Sequence, residues 1–165
     1  MGFDPHRGAI KWDVIDIQDD KALIISKSLL RNLPFNYVAE RPYLWEKCSM
    51  RGWLNNDFLN KYFNESEREL IQISRNENNS VKGFDDEITE GHVTDDYLFL
   101  LSEDEANRYY SNDSERRCEN CRWLLRTTDN YTIKCVDYDG QIKYAEPDGY
   151  EGVRPAMWIN IKKNR

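Results

Sequence analysis

Apolar and acidic residues nearly alternate in Trp12-Asp-Val-Ile-Asp-Ile17, the pattern of a strand with one wet face. A polar turn over residues 18–21 leads into the apolar run Ala22-Leu-Ile-Ile-Ser26, so an antiparallel hairpin is predicted. Residues 28–47 hold Pro34, Pro42 and several aromatics without a period and read as an ordered loop. From Ser49 to Phe63 the period changes. Leu54, Phe58 and Tyr62 recur every four residues with Met50 and Trp53 beside them, which predicts an amphipathic helix with Ser49 as its N-cap. Asn64-Glu-Ser-Glu67 has capping-box chemistry and opens a second short helix, leading into Leu70-Ile-Gln-Ile73. Residues 74–96 are Asn-rich, then acidic, with Gly83 and Gly91, and read as a mobile polar loop. Tyr97-Leu-Phe-Leu-Leu101 predicts a strand, and Ser102-Glu-Asp-Glu105 repeats the capping box for a helix to about Tyr110.

The last third has strand character. Trp123-Leu-Leu-Arg-Thr127 is one strand, and residues 131–138 and 141–145 flank Asp139-Gly140, a strong hairpin signal. Residues 152–160 read as a single final strand. Helices lying between strand groups, with an antiparallel C-terminal half, predict an α+β class. A chain of 165 residues suits one domain over 1–165.

Composition narrows the partners. Twenty-three Lys and Arg against 30 Asp and Glu give a net charge of −7. That disfavours direct nucleic-acid binding and anionic membrane surfaces. No run approaches the roughly 20 apolar residues of a membrane helix. The N-terminal residues lack the apolar centre of a signal peptide, so the expected location is cytoplasmic. Aromatics at 13 % argue against disorder and for a core built on large rings. The four cysteines, Cys48, Cys118, Cys121 and Cys135, are expected as free thiols in a reducing compartment.

Several segments together carry a family likeness. They are the 12–26 hairpin, Trp45-Glu-Lys-Cys-Ser-Met-Arg-Gly-Trp-Leu-Asn-Asn-Asp-Phe58 and Gly152-Val-Arg-Pro-Ala-Met-Trp-Ile159. Between them lie Phe99-Leu-Leu-Ser102 with Glu105-Ala106, and Trp123-Leu-Leu-Arg126. In this order the chain resembles the bacterial family called domain of unknown function 6273, whose members often sit in surface or phage-associated proteins. The family in turn looks related to the C-type-lectin-like fold, the group that includes sulfatase-modifying enzymes. The resemblance implies a twisted antiparallel sheet with two or three short helices and long ordered loops, and a ligand face on the later strands. Here the segment after Tyr109-Tyr110 is shorter than in many members. Thr127-Thr128 stands where many continue with Ser-Pro and Gly. Both departures imply a trimmed face.

On the resembling segments Trp12, Trp45, Trp53, Trp123 and Trp158 are expected in the core, with Arg126 and Arg154 as structural hydrogen-bonders or ion pairs. The tyrosines of the late hairpin and loops are left over. Tyr131, Tyr138, Tyr144 and Tyr150, with Asn130, Asp139 and Asp148, form the candidate binding face, because Tyr gives contact area at low entropic cost. The alternative site is Cys118-Glu-Asn-Cys121, which supplies two of the four ligands zinc requires, or a redox pair if Arg116, Arg117 and Arg122 lower a thiol pKa. The acidic runs 85–87, 95–96 and 137–139 lack calcium-loop spacing and read as solvated charge. No catalytic set and no cofactor is expected. The resulting expectation is a non-catalytic binding module for a protein partner. Carbohydrate ligation and a homo-oligomeric interface are the other uses of such a face. The acidic charge would suit a partner with a basic surface, as for a phage- or mobile-element-encoded inhibitor.

Overall fold

A two-residue ladder, β1 (Phe3–Asp4) with β2 (Gly8–Ala9), precedes the alternating hairpin of β3 (Trp12–Gln18) and β4 (Lys21–Ser26). The computed structural model describes residues 1–38, 41–83 and 85–162. β5 (Arg31–Leu33) lies in the proline-bearing stretch. Ser49–Trp53, Leu54–Phe58 and Leu59–Tyr62 run on as one helix, α1 (49–62), widened at its centre where the Leu59 N–H donates back to the Leu54 carbonyl. After α2 (Glu65–Arg68) come β6 (Ile71–Gln72), β7 (Ser74–Asn76), β8 (Val81–Lys82), β9 (Ile88–Thr89) and β10 (Thr94–Asp96). Helices α3 (Glu103–Tyr109) and α4 (Asp113–Arg116) lead to β11 (Trp123–Thr128), β12 (Ile133–Val136), β13 (Ile142–Ala145), β14 (Glu151–Val153) and β15 (Ala156–Asn160).

Two sheets carry the fold. An antiparallel sheet of order β3-β4-β15-β6 joins the early hairpin to the final strand, in the register Ala156 to Ile25 and Asn160 to Lys21. A second sheet, β13-β12-β11-β14-β5, is antiparallel except where Trp123 meets Gly152 in parallel. The class is mixed α and β with strands predominating, as the pattern predicts. One buried cluster draws on both sheets, α1 and residues 98–101. Trp45 and Trp123 are fully enclosed in it, while Trp12, Trp53 and Trp158 are half-buried against it. Enclosing a large apolar side chain contributes about 1.5–3 kcal/mol.

Both capping boxes form. Asn64 and Glu67 exchange hydrogen bonds at α2, and Ser102 and Glu105 do so at α3. Glu105 also pairs with the guanidinium of Arg126, so one residue caps a helix and pins it to β11. Arg126 further donates to the Leu100 carbonyl at 2.9 Å. Arg154 donates to the Ser26 carbonyl at 3.0 Å and lies over the Trp123 ring. Both arginines are buried and structural, as expected.

Four details differ from the sequence reading. The N-cap of α1 is Cys48, whose sulfur accepts the Arg51 N–H, while the Ser49 hydroxyl donates to Asn36 Oδ1 at 2.7 Å. Residues 97–101 make only the Phe99–Ala156 bridge, because the Asn55 side chain replaces a strand partner. It accepts from the Tyr97 and Leu98 N–H groups and donates to the Leu98 carbonyl. The final strand breaks at Arg154-Pro155 into β14 and β15, which join different sheets; Pro155 has no N–H for a ladder. Residues 74–96 hold two ladders, β7 with β10 and β8 with β9.

That polar stretch is tied down by Asp96. Its buried carboxylate accepts from Trp45 Nε1 at 3.0 Å, Asn76 Nδ2 at 2.9 Å, Thr94 Oγ1 at 2.7 Å and Arg51 Nε at 2.6 Å. Asp96→Ala leaves buried donors unpaired and should lower the unfolding free energy by about 3 kcal/mol or more, read from the urea midpoint. Gly140 has φ +86°, and a Cβ there would overlap the Asp113 carbonyl. Gly140→Ala should therefore cost about 1–3 kcal/mol in the same measurement.

Candidate functional site

The late hairpin is closed by its own polar groups. The Gly140 N–H donates to the Asp137 carbonyl and the Gln141 N–H to Asp139 Oδ1, each at 2.9 Å, which fixes the Asp-Gly turn. Lys143 reaches back across the ladder and donates to Asp137 Oδ2 at 2.7 Å and Asp139 Oδ2 at 3.0 Å. The Lys143 contact holds the Asp137 carboxyl below its ordinary pKa. The Gln141 N–H, then Lys143, do the same for Asp139, and the two carboxylates raise the Lys143 ammonium. These groups face water, so the pairs fix geometry more than they add stability.

Arg122 gathers the neighbouring strands. Its guanidinium donates to Glu151 Oε1 at 2.6 Å, to the Tyr144 carbonyl at 2.8 Å and to Cys135 Sγ at 3.0 Å. It also stands 3.2 Å from Asp137. Asp137 adjoins Tyr138, and Glu151 adjoins Tyr150, so this one side chain draws the hairpin, β13 and the start of β14 together. Tyr138, Tyr144 and Tyr150 are 58 %, 57 % and 68 % exposed on this framework. The Lys134 ammonium lies 3.9 Å from the centre of the Tyr144 ring, its register partner across the ladder. Asp139 is exposed at the turn. Asp148 is exposed in the loop between β13 and β14, which is anchored where the Asn36 N–H donates to the Pro147 carbonyl.

Asn130 and Tyr131 lie elsewhere, at the opposite end of β12 from Tyr138. Asp129 orders their turn by accepting from the Tyr131 and Thr132 N–H groups at 2.7 and 2.6 Å. The Arg41 guanidinium lies over the Tyr131 ring, and Asn130 lines a cavity of about 410 Å³ with Arg41, Asp85, Glu87 and Thr89. The seven candidate residues thus divide into a hairpin group and a pair beyond the other end of the strand. Sequence reasoning missed Lys143 and Arg122 as organisers. Two aspartates at the Asp-Gly turn, Asp137 and Asp139, and a lysine four residues after the second could have disclosed Lys143. Nothing local points from Arg122 to Glu151, 29 residues away.

Cys118 and Cys121 face each other across a tight turn, with the Cys121 N–H donating to the Cys118 carbonyl at 3.3 Å. Cys118 is buried and its thiol donates to the Lys27 carbonyl; burial pushes its pKa up, although Arg154 pulls the other way. Two of the three arginines expected to activate the pair are engaged elsewhere. Arg116 holds the Gly140 carbonyl and Asp113, and Arg122 holds Glu151. Among the described residues no group of three or more His, Cys, Asp or Glu side chains is placed to hold a metal ion. His6 and His92 are exposed. Of the acidic runs, Asp86 pairs with Lys82, and Asp96 is the buried acceptor described above.

A second polar feature lies at the far end of β11. Glu77, Asn79, Ser102, Asp104, Arg126 and Thr127 line a cavity of about 330 Å³ with Asn78 and Glu103. Searches of curated proteins and of solved structures each found no significant match. No described helix is long and apolar enough to cross a membrane. The family model described as "Domain of unknown function (DUF6273)" matches residues 19–161, which takes in β4 of the early hairpin but not β3, the Trp-Leu-Leu-Arg strand and the broken final strand, and the chain belongs to that family.

Proposed function

We propose that the chain is a non-catalytic binding module of C-type-lectin-like fold that engages a protein partner through Tyr138, Tyr144 and Tyr150. The fold reading is supported by the pairing of the early strand β4 with the final strand β15, with α1 between them in sequence and strands β11 to β14 in a second sheet that the early strand β5 joins at its edge. The observation that carries the function is the exposure of three tyrosines, each more than half open to solvent, on strands and loops fixed by Arg122 and Lys143. A large apolar ring with a polar tip, mounted on a rigid frame, contributes contact area with little ordering cost. The carboxylates nearest these rings, Asp137, Asp139 and Glu151, are already held by Lys143 and Arg122. Contact therefore rests on the rings first, and the net charge of −7 adds long-range attraction to a basic partner.

The test is affinity capture with the full chain as bait, comparing wild type with a variant carrying Tyr138→Ser, Tyr144→Ser and Tyr150→Ser. The variant should keep wild-type stability to within about 0.5 kcal/mol, as surface changes do. It should lose a partner that a control carrying Val14→Ser and Ile17→Ser on β3 retains. A partner held equally by the tyrosine variant counts against the reading. Self-association lost in that variant, seen by light scattering, would reassign the face to a homo-oligomer.

The competing reading is thiol or metal chemistry at Cys118 and Cys121. Cys48 is buried, and its thiol is pushed up to about 12, so its thiolate fraction stays small through pH 9. Alkylation of the native protein with iodoacetamide should modify the half-buried Cys121 first and spare Cys48, by peptide mass analysis. Stoichiometric zinc in the purified protein, lost together with folding in Cys121→Ser, would replace the binding-module reading.

A further inference from the structure

The β3-β4-β15-β6 sheet carries a cavity that neither reading above uses. Residues paired across an antiparallel ladder stand on the same face, as do residues two apart on one strand. Gln18 pairs with Lys21, Leu23 with Trp158, and Trp158 with Gln72. Gln18, Lys21, Trp158 and Gln72 therefore share one face, one from each strand of the sheet. All four line a cavity of about 410 Å³, together with Ile73, Ser74 and Arg75, where the chain leaves β6 for β7. That volume suits a small organic ligand, and the strand framework holds most of the lining in place.

The groups left over among these residues are donors. Trp12, Trp45 and Trp123 each give their indole N–H to an acceptor within the protein, at 2.8, 3.0 and 3.0 Å. The Trp158 Nε1–H has no acceptor among the described residues and is not closed to solvent. The Lys21 ammonium lies 4.6 Å from the centre of the Trp158 ring. Neither Lys21 nor Arg75 forms an ion pair among the described residues, and Arg75 makes no side-chain hydrogen bond there either. No described carboxylate is in the lining. Asp16 accepts from the Ile17 N–H at 2.8 Å and Gln18 Nε2 at 2.7 Å, and Asp20 pairs with Lys162 at 3.2 Å. Asp95, the register partner of Arg75, stands outside the lining without pairing to it.

The lining selects the occupant. A cation would meet Lys21 and Arg75 with no lining acid to offset them. A neutral ligand would leave both charges unmatched. An oxyanion accepts from an ammonium, a guanidinium fork and an indole N–H alike, and hydrogen bonds to an ionised acceptor are the stronger ones. The lining also has an apolar part. Ile73 is 59 % exposed, and the Trp158 ring is only half-buried. A bare inorganic anion would leave this surface wet, whereas an apolar body attached to the anion would cover it. We propose that this cavity is a binding site for a small organic oxyanion, a carboxylate or phosphomonoester borne on an apolar ring or chain. Lys21 and Arg75 supply the counter-charge, the Trp158 indole N–H a further donor, and Ile73 with the Trp158 ring the apolar contact. On a chain of net charge −7 the attraction is local to this pair, since more distant charges are screened by salt.

The test uses the full chain and NMR titrations that follow the Trp158 indole N–H, assigned with Trp158→Phe, and the amides of residues 18, 21 and 72–75. Benzoate and phenyl phosphate are the probes, and the tighter of the two tells carboxylate from phosphomonoester. Benzamide, benzylamine and inorganic phosphate are the controls. At least one probe should shift these signals in a saturable way, with benzamide and benzylamine leaving them in place and inorganic phosphate binding more weakly than the better probe. Arg75→Gln, at an exposed position, should weaken binding about tenfold or more, the scale of one lost hydrogen bond between charged groups. Lys21→Gln should do the same, with the urea midpoint confirming that each variant is folded. The Tyr144→Ser variant should bind the probe as wild type does, so the result stands apart from the fate of the tyrosine face. The proposal is overturned if neither probe shifts these signals, if benzamide or benzylamine binds as well, if inorganic phosphate binds as tightly as the better probe, or if folded Lys21→Gln and Arg75→Gln variants keep wild-type affinity.

Discussion

The buried carboxylate of Asp96 is the point on which the arrangement of this chain turns. A charge taken out of water is costly unless it is paired and hydrogen-bonded, and four side chains from three separate segments meet that demand. Trp45 comes from the turn before α1, Arg51 from its first turns, and Asn76 and Thr94 from the β7–β10 ladder. Polar residues that could not otherwise bury themselves are thereby fastened to the helix. The consequences run onward. With Asp96 fixed, the next residues arrive beside Asn55, which takes over the backbone of Tyr97 and Leu98. Phe99 then pairs with Ala156, and Leu101 accepts the Arg126 N–H. Residues 98–101 thus stitch the two sheets together without being a strand in either.

What the sequence disclosed and what it concealed follow the same physics. The hairpin at 12–26, the α1 stripe, both capping boxes and the Asp-Gly turn depend on neighbours within a few residues, and each was legible. Within residues 74–96 the β7–β10 ladder is held by side chains that meet across 20 to 51 positions, and composition there looks only polar. The apolar run 97–101 reads as a strand because residues 98–101 are buried, yet the backbone of Tyr97 and Leu98 is met by one asparagine side chain rather than a ladder. At 154–155 the apolar pattern continues while the chain changes sheets, and only Pro155 hints at the break.

The candidate face shows the same division. The expectation that five tryptophans fill the core holds in full for Trp45 and Trp123, with Trp12, Trp53 and Trp158 half-buried against it, and the late tyrosines Tyr138, Tyr144 and Tyr150 are exposed. That Asn130 and Tyr131 stand at the other end of β12 could have been counted from the strand's length. The role of Arg122 could not, since it acts through Glu151 and a backbone carbonyl that only the tertiary fold brings near.

The depth of the Trp-Leu-Leu-Arg segment explains why its last residue is arginine. Trp123 donates its indole N–H to the Arg116 carbonyl and fills the core, which settles the strand's depth. At that depth Arg126 meets Glu105, the Leu100 carbonyl and the Glu77 carbonyl, which lie in different directions around one side chain. A planar guanidinium with five donors can serve all three at once, whereas a lysine ammonium could not span them. The same demand leaves one donor over. Because the fork is rigid, satisfying Glu105 and the two carbonyls leaves Nε without a protein acceptor and closed to solvent. The residue that joins helix α3, the 77–79 loop and β11 therefore also carries a buried donor without a partner among the described residues. At the tyrosine face, by contrast, Asp137 and Asp139 beside Tyr138 and Glu151 beside Tyr150 are already paired with Lys143 and Arg122, while Asp148 stays exposed.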